Sequence, residues 1–264
     1  MLLTFDIGNT NVKAAIFENE KIIFERRTGS DEKRTGDEYF SIFITLMHNE
    51  NIDTSKIEEA VVSSVVPQLT GPFISVAQRI IGKKPLVVGP EIYNKLPVKI
   101  PAEAVHQIGT DLLCDAFMAW EIFKKACIIA DFGTALSFTA VNDQGEICGI
   151  AIAPGIGTAF ASLNSSTAQL PSVSPMIPAT SLGTNTIDCI RAGVMFGYRG
   201  LTESIINQMK SDMHKKYGTQ ISDIKTVATG GLNSMIQPIS NVFDLVDKEL
   251  TVNGLRKIAL CALK

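Results

Sequence analysis

Residues 2–17, LLTFDIGNTNVKAAIF, contain the pattern that decides the fold. A short apolar run, residues 2–5, ends at the carboxylate Asp6. A polar turn through Gly8, Asn9, Thr10 and Asn11 follows, and a second apolar run, residues 12–17, leaves it. Apolar runs of this length bounded by turn residues read as buried strands. The pattern returns at residues 126–141, ACIIADFGTALSFTAV. There a strand over 126–130 ends at Asp131, the loop Phe132-Gly133-Thr134-Ala135 turns, and a strand over 137–141 follows. Both loops read Asp-apolar-Gly-polar-small in the same strand–loop–strand setting, so the chain reads as two similar halves, 1–120 and 121–264.

The remaining pattern fits around these loops. Residues 21–26 read as a third strand across the turn Glu18-Asn19-Glu20. Apolar residues at helical spacing (Tyr39, Phe40, Ile42, Phe43, Leu46, Met47) predict a helix over 38–48. β-rich runs at 60–66 and 85–88 flank a helix over 72–81, and a further helix is expected over 111–125. In the second half, 147–153 reads as a strand after the turn at 142–145. A long helix over 186–214 is expected to break near Gly197 and Gly200; its apolar residues, from Ile187 to Met209, are expected mostly in the core. A strand over 225–228 runs into Thr229-Gly230-Gly231, and 253–263 closes the chain as a helix. Strands alternating with helices imply an α/β fold with parallel or mixed sheets.

Composition narrows the function classes. The 264 residues are 45% hydrophobic and 19% charged, enough to bury a sizeable core. A net charge of −3 without a Lys/Arg block disfavours nucleic-acid and anionic-membrane partners. No apolar stretch approaches the ~18–20 residues of a membrane helix, and MLLTFDIGN lacks the features of a signal peptide. The five cysteines are scattered, with no CxxC pair, which suits reduced thiols in a cytoplasmic protein. None of the three histidines has zinc-ligand spacing.

The two loops suit a metal–polyphosphate. In residues 6–13, DIGNTNVK, Gly8 lets the backbone approach a ligand. Asn9, Thr10, Asn11 and the backbone N–H groups can line an anion site, and Lys13 adds positive charge. Asp6 fits beside a phosphate chiefly through a hydrated cation. Taken alone, the loop is equally an Asx-rich β-turn. Asp131 to Thr134 repeats the logic, and two facing carboxylates would serve phosphoryl transfer. Paired glycines at 230 and 231 allow close approach of a group such as adenosine. Neither a GxxxxGK[ST] loop nor a GxGxxG fingerprint is present.

With these residues in view, the chain resembles the type III pantothenate kinases. DIGNTNVKAAIFE (6–18), ADFGTA (130–135), GIAIAPGI (149–156), STAQLPSV (166–173), GTNT (183–186), ATGGL (228–232) and VDKELTVNGL (246–255) resemble family segments in the same order. The resemblance implies duplicated ribonuclease H-like, actin-like ATPase domains, each a mixed sheet flanked by helices. It implies ATP-dependent phosphorylation of pantothenate, the first step of coenzyme A synthesis. It further implies Mg2+ with ATP, a monovalent cation (K+ or NH4+) and a homodimer. Carried over by residue, Asp6, Ile7, Gly8, Asn9, Thr10, Asn11, Val12 and Lys13 would bind ATP phosphates, with Thr134 beside them. Asp131 would ligate the monovalent cation. Asp111, within Gly109-Thr110-Asp111-Leu112, would be the catalytic aspartate of the substrate site, and Thr186 would contact substrate from the partner subunit. Asp111 also suits the first turn of a helix, with Thr110, after Gly109.

The resemblance breaks at specific positions. The family has arginine where this chain has Leu112, and leucine cannot hold a carboxylate; Lys99 and His106 are the nearest upstream candidates to replace it. Tyr93 lies further upstream than the family's tyrosine, and Leu136 and Thr139 replace a threonine and an aspartate. Two other readings therefore stand beside the first: a non-catalytic nucleotide-binding regulatory relative, and a kinase of the same fold acting on a different alcohol.

Overall fold

The computed structural model describes residues 1–263. Contacts divide the chain into two units, Met1–Met118 with Thr251–Lys264, and Ala119–Leu250.

The first unit is built on strands β1 (Leu2–Ile7), β2 (Asn11–Glu18) and β3 (Lys21–Gly29), followed by helix α1 (Gly36–Asn49), β4 (Glu59–Ser64), α2 (Pro67–Ile81), β5 (Leu86–Val87), the single turn α3 (Pro90–Tyr93) and α4 (Thr110–Phe123). The sheet order is β3-β2-β1-β4-β5. The β1–β2 and β2–β3 pairs are antiparallel hairpins, while β1–β4 and β4–β5 are parallel. Alternation along each strand assigns the faces. Leu3, Phe5, Ile7, Val12, Ala14 and Ile16 pack with Tyr39, Phe43 and Phe73 of α1 and α2. Phe5 meets Phe43 and Phe73 edge-on at centroid distances of 5.2 and 5.1 Å, a favoured aromatic geometry. Ala15 and Phe17, on the opposite face, pack with Val252 of the closing helix. Thr35 caps α1 in a reciprocal capping box with Glu38, which accounts for the start of that helix.

The second unit repeats the plan. Strands β6 (Cys127–Phe132), β7 (Ala135–Val141) and β8 (Ile147–Pro154) form two antiparallel hairpins. Helices α5 (Ile156–Ser165) and α6 (Thr186–Tyr217) precede β9 (Lys225–Thr229), the single turn α7 (Asn233–Ile236) and β10 (Leu245–Val246); the closing helix α8 (Leu250–Ala262) returns to the first unit. The order β10-β9-β6-β7-β8, with β6–β9 and β9–β10 parallel, is the first sheet's topology strand for strand. The repeated loop motif is therefore part of a repeated fold. Ile128, Ala130, Phe132, Leu136 and Phe138 pack with Ile156, Phe160, Ile190, Met195 and Ile206.

Several boundaries move for physical reasons. Helix α2 begins at Pro67, because that proline occupies the first helical turn; Pro72 is accommodated inside the helix. Helix α6 runs unbroken for 32 residues. A Cβ at Gly197 or Gly200 would meet nothing, so these glycines neither break the helix nor make a close contact. Of its apolar residues Ile190, Met195 and Ile206 are buried and Ile187 is exposed. Residues 156–165, left without an element in the sequence reading, form α5.

At Gly254 the backbone of α8 comes close to that of α4. A Cβ there would stand 2.1 Å from the carbonyl oxygen of Cys114. Backbone cannot yield as a flexible side chain can, so Gly254→Ala should destabilise the protein by about 1–3 kcal/mol. The expected readout is a lower urea midpoint with an unchanged denaturant slope.

Candidate active site

Asp6 is the fifth residue of β1, and Asp131 is the fifth residue of β6. Sheet register gives each a row of neighbours on its own face. Beside Asp6 stand Lys13 of β2 and Ser63 of β4, with Arg27 of β3 beyond Lys13. Beside Asp131 stand Ser137 of β7 and Thr229 of β9, with Ile152 of β8 beyond Ser137. The two carboxylates thus hold equivalent positions but differ in surroundings: two cations in the first row, hydroxyls in the second.

In the first unit the Asp6 loop is closed by the Gly8 N–H donating to the Asn11 carbonyl at 3.0 Å. Ser30 fastens it from outside. Its N–H donates to the Thr10 carbonyl at 2.9 Å, and its Oγ donates to the Gly8 carbonyl at 2.5 Å. Asn9, Thr10 and Asn11 are exposed, whereas the side chains of Ile7 and Val12 lie in the core. Those two positions can therefore meet a ligand only through backbone. The Lys13 amino group is nearly covered and lies 3.2 Å from the Glu25 carboxylate, so its charge is shared.

The start of α4 supplies the second carboxylate. The Asp111 carboxylate turns back on its own helix start, and its Oδ1 accepts from the Leu112 N–H at 2.8 Å. A Cβ at Gly109 would be 2.4 Å from that oxygen, so a larger residue there would push the carboxylate out of this position. Thr110 is buried, and its Oγ1 accepts from Ser63 Oγ at 2.8 Å. The fully buried Cys114 thiol, one turn on, lies within reach of the same Ser63 hydroxyl.

Electrostatics connect these groups. Burial, and then the neighbouring Asp111, push the Asp6 carboxyl up to about 7, against the pull of Lys13 and Arg27. Burial also raises Asp111, opposed by the N–H groups of Leu112 and of Asp111 itself. The Cys114 thiol is pushed up by burial and then by Asp6, Asp115 and Asp111, which keeps it a thiol. Asp6 and Asp111 form a negative pair that a cation or a proton would relieve.

In the second unit the Asp131–Thr134 loop packs on the start of α5. A Cβ at Gly155 would lie 2.4 Å from the carbonyls of both Gly133 and Thr134. The Thr134 carbonyl accepts from the Gly155 N–H at 3.0 Å and from Thr158 Oγ1 at 2.8 Å. Gly230 adopts a left-handed conformation, φ 86°, and a Cβ there would stand 2.3 Å from Asp131 Oδ1. Beside Asp131 in register, the Thr229 hydroxyl is buried without a hydrogen-bond partner. The N–H groups at the start of α5 offer an anion site beside the loop. Thr186 occupies the exposed first turn of α6, after the cap Asn185, whose side chain accepts from the Asp188 N–H at 3.0 Å. Among the described residues, no group of three or more His, Cys, Asp or Glu side chains could hold a metal ion.

The structure therefore joins residues 6–13 with residues 109–112 in the first unit, and Asp131 with Thr134 in the second. Ser30, Ser63, Cys114 and the start of α5 were missed by the sequence reading. A glycine-rich Gly155-Ile156-Gly157-Thr158 directly after a strand was the signal for the last. Ser30, Ser63 and Cys114 gave none, because their role depends on pairing with distant segments.

The Asp6 shift has a consequence for stability. A carboxyl that titrates near 7 when folded and near 4 when unfolded binds more protons in the folded chain between those values. Stability is therefore lost as the pH rises from about 4 to about 7. Asp6→Asn should be more stable than the natural protein by about 1–3 kcal/mol above pH 7, a gap that closes toward pH 4. Urea denaturation of the ligand-free proteins at pH 4.5 and 8 reads this difference.

Comparison with known proteins places this site in a family. The type III pantothenate kinase family model matches residues 2–208. The type III pantothenate kinase of Moorella thermoacetica is 38% identical over 256 residues, covering 97% of each chain. That of Geobacter sulfurreducens is 35% identical, again over 97% of each. Among solved structures, a Campylobacter jejuni protein described as a conserved Baf family transcriptional activator superposes with a TM-score of 0.58 at 16% identity, covering 98% of this chain and 97% of that one. Component A of the Acidaminococcus fermentans (R)-2-hydroxyglutaryl-CoA dehydratase gives 0.53 at 15%, covering 99% and 96%. These structural likenesses speak to the fold alone, a duplicated ribonuclease H-like, actin-like architecture of two mixed five-stranded sheets flanked by helices. The chain belongs to the type III pantothenate kinase family.

Proposed function

We propose that this protein phosphorylates pantothenate with ATP to give 4'-phosphopantothenate, the first committed chemistry of coenzyme A synthesis, with Asp111 as the catalytic base. The observation that carries the assignment of the base is the Asp111 carboxylate, fixed over Gly109 by the Leu112 N–H and raised in basicity by burial. In the reaction the primary hydroxyl oxygen of pantothenate attacks the γ-phosphorus. The bond from that phosphorus to the bridging oxygen breaks and ADP leaves. The hydroxyl proton passes to Asp111, whose raised proton affinity suits that role.

Residues 6–13 are the proposed cradle for the ATP phosphates, through the exposed Asn9, Thr10 and Asn11 and the backbone of the turn, with Thr134 at the second loop. Mg2+ entering with ATP would neutralise phosphate charge; the surplus negative charge of Asp6 and Asp111 fits a cation, and phosphate and water oxygens would complete its shell. Asp131 is the proposed ligand of the monovalent cation, K+ or NH4+. The buried, unpartnered Thr229 hydroxyl beside it in register supports this, because such an oxygen suits a weakly charged ion. Gly109, Thr110, Asp111 and Leu112 form the proposed pantothenate site, with Thr186 contributed by the second subunit of a homodimer. We place the protein in the cytoplasm; among the described residues no helix is long and apolar enough to cross a membrane.

Leu112 is the residue that favours a second reading. It stands where the family resemblance places an arginine, and it brings no charge to a carboxylated substrate. The alternatives are a nucleotide-binding relative without turnover and a kinase for a different alcohol.

Purified protein with ATP, Mg2+ and K+, assayed for ADP and phosphorylated product with and without pantothenate, separates these readings. Pantothenate-dependent turnover is expected, and Asp111→Asn should lower kcat by about 100-fold or more. Asp131→Asn should weaken activation by K+ while ATP is still hydrolysed or transferred at saturating salt. Nucleotide binding without turnover on pantothenate or related alcohols would overturn the proposal.

A further inference from the structure

Ser63 belongs to neither loop identified from the sequence, yet it connects the two carboxylates of the first unit. It lies at the end of β4, 1% exposed, with its Cα paired to that of Asp6 in the parallel β1–β4 ladder. The ladder continues one step further through the Val65 N–H, which donates to the Ile7 carbonyl at 3.0 Å. Ser63 is therefore fixed relative to Asp6 by backbone bonds on both sides. Its hydroxyl donates to Thr110 Oγ1 at 2.8 Å, a contact between segments 47 residues apart and shielded from water. Thr110 is the residue before Asp111. The Leu113 N–H to Gly109 carbonyl bond, 3.2 Å, encloses both within the first turn of α4. On the other side of Gly109, the Val65 side chain would meet an added Cβ at 3.5 Å.

We propose that Ser63 is a positioning residue for phosphoryl transfer: its hydroxyl, bonded to Thr110, sets the first turn of α4 against the end of β1 and so fixes Asp111 relative to Asp6. The inference rests on Asp111 being the base. Like charges side by side repel, and nothing in the short turn from Gly109 to Leu112 opposes that repulsion except the helix's own N–H groups. A buried hydroxyl pair resists it directly. Losing one partner leaves the other buried and unsatisfied, so the turn is expected to shift rather than merely loosen.

The test compares Ser63→Ala with Ser63→Thr, which keeps the hydroxyl on the strand, in steady-state assays with ATP and pantothenate. Ser63→Ala should lower kcat about 10–100-fold, the scale of a displacement near 1 Å at a reacting group. Its KM values for both substrates should stay within about threefold of the natural protein's, because the binding groups are retained. Ser63→Thr should recover most of that kcat. A purely structural role would give a lower melting temperature with kcat unchanged at 25 °C, and that result overturns the proposal. Equal losses in Ser63→Ala and Ser63→Thr, or a rise in KM without a fall in kcat, overturn it as well. Asp111→Asn serves as the separating control. If that variant keeps full activity, the assignment of the base has failed; if it is inactive while Ser63→Ala is normal, only the positioning proposal has failed.

Discussion

Two carboxylates held close in a partly desolvated setting cost free energy until a proton or a cation joins them. The first unit is built around such a pair. Asp6 cannot withdraw, because it belongs to a strand bonded on both sides. Asp111 cannot withdraw either, because its helix start is tied to the adjacent strand through Ser63 and Thr110. The repulsion is thus a property of the fold; burial first, and this repulsion second, push the Asp6 carboxyl up to about 7. A site of this kind is unfavourable empty and becomes favourable when positive charge arrives with a ligand. The same constraint that disfavours the empty pair would favour positive charge brought to it, which is the setting the proposed function uses.

The duplicated topology places an aspartate at the same step of the same strand in each unit, but the cross-strand rows have diverged. Lys13 and Arg27 moderate Asp6, whereas Ser137 and Thr229 flank Asp131. One fold element, used twice, therefore presents two different electrostatic settings. In the first, protein cations and a second carboxylate compete for Asp6. In the second, neutral oxygens stand alongside Asp131, with glycines at 133, 155 and 230 keeping the backbone close. Strand order is unchanged, but the turn between Ile7 and Asn11 is one residue longer than that between Phe132 and Ala135, so Asp6 faces Lys13 where Asp131 faces Ser137.

Much of this was legible in the sequence because it is local. The Asp-apolar-Gly loops stand out by repetition, and hydrophobic periodicity marked α1 and the central strands. Leu3, Phe5 and Ile7 had to alternate with Thr4 and Asp6 if the strand was to be covered on both faces. Errors arose where a local rule met tertiary packing. Glycines in α6 suggested a break, yet neighbours packed along the helix hold it continuous. Lys13 read as added positive charge beside a phosphate site, and the structure adds that Glu25, two residues from its strand partner Arg27, lies beside it.

The sequence by itself determined the two-fold repeat, the α/β alternation, the acidic loops and the kinship with pantothenate kinases, because each is encoded in contiguous residues. Only the tertiary structure decided which side chains share a face. Ser63 lies 57 residues from Asp6 in the chain and becomes its neighbour only when β1 and β4 pair in parallel. Thr110 meets Ser63 only when α4 packs its first turn against that strand end. Register converts a list of polar residues into a row of neighbours, and register is settled by the burial of whole strands rather than by any one motif.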